Sequence, residues 1–177
     1  MKIRALFFAT AILPALCVST LAYSKEEQML KVATFNVSME ATNYKALGTK
    51  PSNKVLQHVL STGEHPQVKN IAEIIQRINP DILLLNEFDY IADKRKGVEA
   101  FIENYLNVSQ QGLEPVDYPY TYVAPVNTGE PTTFDLDNNG KAEGIGGDAY
   151  GFGLYPGQYG MALLSKYPID VDGILTF

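Results

Sequence analysis

The segment from Pro66 to Asp89 limits the possible folds more than any other. Val68, Ile71, Ala72, Ile75 and Ile78 recur at three- and four-residue steps, which draws one apolar stripe along a helix. Pro66 suits the first turn of that helix, and Asn79-Pro80 stops it. An apolar run of strand length, "DILLLNE", follows at once. Upstream, "LKVATFNVSM" carries apolar residues on both faces, as a buried strand does. Strand, helix, strand in this order predicts a βαβ crossover with Leu30–Val37 and Ile82–Asn86 as parallel neighbours. The fold class expected is α/β.

Parallel neighbours end at the same edge of a sheet, and open α/β sheets bind ligands beyond such ends. Asn36 and Glu87 fall there. An amide oxygen and a carboxylate are hard ligands, suited to Mg²⁺ with water and substrate oxygens completing the shell. On spacing alone the plainer reading is a strand-end cap at Asn36 and a surface acid at Glu87.

The remaining chain extends the pattern. "NKVLQHVL" suits a short helix, and "VEAFIENYL" suits one that buries Val98, Ile102, Tyr105 and Leu106. "DYPYTYVAPV" alternates like a strand whose prolines place it at a sheet edge. A Gly-rich loop covers 127–158, "GMALLS" suits a buried strand, and a further strand is expected to begin at Ile169.

Residues 1–24 have a basic start (Lys2, Arg4), an apolar centre and small residues at "LAYS", the layout of a secretory signal peptide. A membrane anchor is the alternative, disfavoured by Pro14 and a marginal length. Export to the periplasm or exterior is expected, with no membrane span left after cleavage. The only cysteine, Cys17, lies inside this segment. Without Lys2 and Arg4 the 14 basic residues become 12 against 20 acidic, a net charge near −8. Such a surface does not attract polyanions unaided, so a phosphate-ester substrate calls for a bound cation.

Two loops carry further candidates. In "DLDNNGKAEGIGGD", Asp135, Asp137 and Asn139 alternate before Gly140, as in the opening of a Ca²⁺ loop. Gly146 stands where the twelfth-position glutamate belongs, and Glu143 or Asp148 would have to substitute. The plainer reading is a loop of Asx-turns. In "AYGFGLYPGQYG", Tyr150, Phe152, Tyr155 and Tyr159 offer rings for stacking on a base or sugar, or for packing the loop on itself. Gln158 and Tyr159, nearest the core strand, are the candidates for substrate contact.

"LKVATFNVSM", "IIQRINPDILLLNEFD" and "GQYGMALLSKYPI", in that order, resemble the endonuclease/exonuclease/phosphatase superfamily, which includes pancreatic-type deoxyribonucleases, abasic-site endonucleases, sphingomyelinases and inositol phosphatases. "GDAYGFGLYPGQYGM" resembles an exported bacterial subgroup. The resemblance implies a four-layer α/β/β/α sandwich and metal-dependent hydrolysis of phosphate esters, with Mg²⁺ (or Mn²⁺) as cofactor. It makes Glu87 the metal ligand and Asn36 its catalytic companion. Substrates in that superfamily include nucleic acid, phospholipid head groups and small phosphodiesters. Its Asp-x-Asn segment does not follow the "GMALLS" strand here, and its Ser-Asp-His does not occur; His58 and His65 come too early to match. The expectation is therefore the N-terminal part of such a domain, residues 25–177, incomplete and inactive alone. The alternative is a non-catalytic extracellular module stabilised by Ca²⁺.

Overall fold

The computed structural model describes residues 29–46 and 48–175. The expected signal segment, with Cys17, lies outside the described residues. Four strands form one mixed sheet: β1 (Val32–Met39), β2 (Ile82–Phe88), β3 (Tyr120–Val123) and β4 (Met161–Ser165). Their order is β1-β2-β4-β3. β1 and β2 are parallel neighbours, as the crossover requires, while β4 runs antiparallel to both β2 and β3. β3 lies at the edge, where its flanking prolines cost no ladder hydrogen bond.

Helices α1 (Asn53–Thr62) and α2 (Pro66–Ile78) fill the crossover. Pro66 takes the first turn of α2, and Asn79 closes it in the left-handed conformation, with its N–H on the Ile75 carbonyl. Gly63 ends α1 in the same left-handed way. Helix α3 (Val98–Phe101) runs on as a π-helical turn through Leu106, and it buries Val98, Ile102, Tyr105 and Leu106 as expected.

One face of the sheet carries the core. Leu83 and Leu85 of β2 and Ala162 and Leu164 of β4 are fully buried with Leu56, Leu60, Val68, Ile75 and Phe101 of the helices. Burying each large aliphatic side chain contributes about 2 kcal/mol. The opposite face is apolar yet open. Leu84, Leu163, Met161 and Tyr122 line a cavity of about 610 Å³ there, together with Ile174 and Leu175. Among the described residues no helix is long and apolar enough to cross a membrane.

β1 begins at Val32 and not at Leu30, and three further boundaries differ from expectation. β1 continues two residues past Val37, because an irregularity lets Met39 pair with Phe88 after Asn36 has paired with Asn86. β2 continues to Phe88, so Glu87 lies within the strand and not beyond it. No strand begins at Ile169 among the described residues: Asp170 accepts the Gly173 N–H, and the chain turns through a 3₁₀ segment, Val171–Gly173.

Candidate metal centre

Asn36 and Glu87 meet through a residue the sequence reading passed over. The Asn36 Oδ1 accepts the Ser38 N–H at 3.1 Å, an Asx-type turn that takes this N–H out of the β ladder. β1 therefore bulges, with two residues, Val37 and Ser38, opposite the single Glu87 between the pairs Asn36–Asn86 and Met39–Phe88. The Ser38 hydroxyl lies 3.4 Å from Asn36 Oδ1 and 3.3 Å from Glu87 Oε2. It has one proton for two acceptors, so two hard oxygens from adjacent parallel strands converge on one small group. Neighbouring Asn86 donates to the Thr34 hydroxyl at 2.7 Å, which extends the polar row along the same strands.

The backbone at this point is strained. Ser38 (φ +48°), Glu87 (φ +55°) and Tyr159 (φ +56°) are left-handed although none is glycine or asparagine. Such conformations persist only where the surroundings over-determine them, and they cluster at functional sites. Among the described residues Glu87 forms no ion pair. Paired hard oxygens with no protein cation suit a divalent cation such as Mg²⁺.

A buried polar network lies beneath. Asp89 is fully buried. Its Oδ2 accepts the Tyr155 hydroxyl at 2.5 Å and the Ala41 N–H at 3.0 Å. Oδ1 is buried without a full hydrogen bond, although the Tyr159 N–H bears on the carboxyl. Burial pushes Asp89 up to about 7, against the pull of Tyr155 and Ala41. Glu40, also buried, accepts the Gln158 amide at 2.8 Å and the Thr42 N–H at 2.9 Å.

The two substrate candidates part company here. Gln158 is fully buried: its Oε1 accepts the Leu154 N–H at 2.7 Å, its amide serves Glu40, and its carbonyl accepts the Thr128 hydroxyl. It holds the loop and presents no surface to a substrate. Tyr159 is partly exposed, and burial together with the charges of Glu40, Glu87 and Asp89 raises its phenol, which stays a neutral donor. Of the other rings, Tyr155 is buried in the network, whereas Tyr150 and Phe152 stand exposed.

In the acidic loop, carboxylate oxygens of Asp135, Asp137 and Asp148 lie within 4.8 Å of one another. Asp148, one of the two substitutes for the missing glutamate, is the third carboxylate beside Asp135 and Asp137. Asn139 spends its Oδ1 on the Lys141 N–H and its amide on Asp137. Asp148 accepts the Glu143, Leu136 and Asp137 N–H groups, which hold its carboxyl below the usual range, Glu143 most strongly.

Neither histidine reaches the strand ends. His58 is exposed on α1, and His65 caps α2 with its ring edge-on to Tyr44, centroids 4.8 Å apart. Ser38 stands two residues from Asn36 on the same strand, the only local signal by which it was detectable. Asp89 ended the apolar run in plain sight, but its partners come from distant segments.

A family model described as "Endonuclease/Exonuclease/phosphatase family" matches residues 33–177. No curated protein and no solved structure matches the chain.

Proposed function

The chain belongs to the endonuclease/exonuclease/phosphatase family, and on that premise we propose that Asn36, Ser38 and Glu87 form the metal-holding part of a phosphoesterase. The family is one of phosphoester hydrolases that generally depend on a divalent metal. The observation that carries the reading is the convergence of Asn36 Oδ1 and Glu87 Oε2 on the Ser38 hydroxyl, at two strained positions of adjacent parallel strands.

In this reading Glu87 supplies the charged ligand, and Asn36 orients a ligand or phosphate oxygen. Ser38 holds both in place, and the neutral Tyr159 phenol donates toward a phosphate oxygen. Mg²⁺ or Mn²⁺ held there would act as Lewis acid and template. It would also supply the positive charge that an acidic chain needs for a nucleic acid, a phospholipid head group or a small phosphodiester. Neither His58 nor His65 is read as the histidine of the Ser-Asp-His segment that the resemblance implies. The open apolar face of the sheet is the surface on which a second sheet of a sandwich would pack. Residues 1–24 are read as an export signal.

The test is hydrolysis of bis(p-nitrophenyl) phosphate by the natural gene product, in Mg²⁺ and in EDTA. Hydrolysis that EDTA stops and Glu87→Gln abolishes supports the reading. Metal-dependent hydrolysis untouched by Glu87→Gln overturns the assignment of the site.

One observation favours a second reading, a module stabilised by Ca²⁺: the Asp135, Asp137 and Asp148 oxygens lie close enough to share one cation. Both roles can coexist in one chain.

A further inference from the structure

We infer that Tyr155 and Asp89 are positioning residues of the Asn36–Glu87 site: their hydrogen bond ties the ends of β1 and β2 together and fixes the backbone that carries Glu87. The inference rests on the reading of that site as a metal centre.

The geometry begins two residues beyond Glu87. Asp89 Oδ2 accepts the Tyr155 hydroxyl at 2.5 Å. The Ala41 N–H points at both groups, 3.0 Å from Asp89 Oδ2 and 2.9 Å from the Tyr155 oxygen. One phenol thus touches the chain just past β1 and the chain just past β2. The Asp89 N–H closes the same junction on the Met39 carbonyl at 3.0 Å. Asn36 and Ser38 lie on one side of this knot and Glu87 on the other.

The loop is seated directly on the strand end. The Phe88 N–H donates to the Gly160 carbonyl at 3.0 Å, and the Tyr90 N–H to the Gly157 carbonyl at 2.8 Å. A Cβ at Gly160 would stand 2.7 Å from the Phe88 oxygen and 2.8 Å from the Tyr90 nitrogen, so only glycine admits this contact. Residues 88–90 are held on one side by loop backbone and on the other by Ala41 and Tyr155. That confinement can keep Glu87 left-handed, a conformation its side chain does not favour.

The chemistry of the knot points beyond loop attachment. Asp89 and Glu40 are both buried, and among the described residues neither forms an ion pair. Burying two carboxyl groups without a cation costs free energy that neutral amides would avoid. A cation held at Glu87 would offset that cost through its field.

The test uses the full chain and Mg²⁺ alone, titrated by calorimetry at a temperature well below each variant's Tm. The quantity compared is the binding that Glu87→Gln removes. Tyr155→Phe keeps the ring and deletes the hydroxyl, and it should weaken that binding roughly tenfold, the loss typical of a supporting partner. Gln76→Leu is the control. Gln76 ties α2 to the Leu106 and Val108 carbonyls and touches neither strand end, so this variant should lower Tm and leave Mg²⁺ affinity unchanged. If Tyr155→Phe does not fold, Asp89→Leu, which removes the acceptor of the Tyr155 hydroxyl, takes its place with the same expected direction. Wild-type affinity in the variant, with Glu87-dependent binding intact, overturns the positioning role and spares the metal site. Absence of Glu87-dependent binding in the wild type overturns both.

Discussion

Replacing Asp89 by asparagine should remove a loss of stability that the wild type suffers as pH rises. Burial raises the folded-state pKa of Asp89 from 3.8 to about 7. The folded state therefore holds the proton more tightly than the unfolded chain. The stability this confers is complete below about pH 4 and is lost as pH rises to about 7. A shift of roughly three units is worth on the order of 4 kcal/mol, or roughly 10 °C in Tm for a domain of this size. The Asp89→Asn side chain keeps an acceptor for the Tyr155 hydroxyl and cannot ionise. Thermal unfolding of both proteins in EDTA, from pH 4.5 to 8, isolates the effect, because carboxyls such as Asp81 and Asp148 titrate the same way in each. The wild type should lose stability relative to Asp89→Asn as pH rises, with the variant the more stable at pH 8. A Tm difference that stays flat across this range refutes the reasoning and leaves Asp89 an ordinary carboxylate.

Two further outcomes follow from the strained bulge and the acidic loop. Ser38→Gly relieves a left-handed backbone but frees the unfolded chain, so stability should change by less than about 1 kcal/mol. Its Mg²⁺ affinity should nevertheless fall several-fold, and unchanged affinity would show that the hydroxyl does not organise the site. In the acidic loop, Ca²⁺ at roughly 100 times its Kd should raise Tm by roughly 5–10 °C. Asp137→Ala should abolish that rise, and a rise that persists in the variant rules the loop out as the binding site.

The sheet and helices were legible where burial imposes a period. Val68 to Ile78 trace a helix, Ile82 to Leu85 a strand, and the prolines around Tyr120–Val123 an edge. What escaped depends on side chains turned back onto backbone. Asn36 takes the Ser38 N–H and Asp170 takes the Gly173 N–H, one extending β1 through a bulge and the other replacing an expected strand by a turn. Hydropathy contains neither event. The site was legible only in its first two residues. Ala41 and Asp89 are 48 residues apart and meet only when β1 and β2 pair; Glu40 and Gln158 are 118 apart and meet only once the loop has folded onto the strand ends. In the acidic loop Asp135 and Asp137 alternate in the sequence, whereas Asp148, 11 residues past Asp137, joins their carboxylates only by loop closure.

The central claim is that Asn36, Ser38 and Glu87 hold a divalent cation, and calorimetric titration of Mg²⁺ into the wild-type protein and Glu87→Gln tests it most directly. A saturable binding event in the wild type that disappears in the variant, with Tm in EDTA otherwise alike, is the predicted result. Superimposable isotherms for the two proteins contradict it.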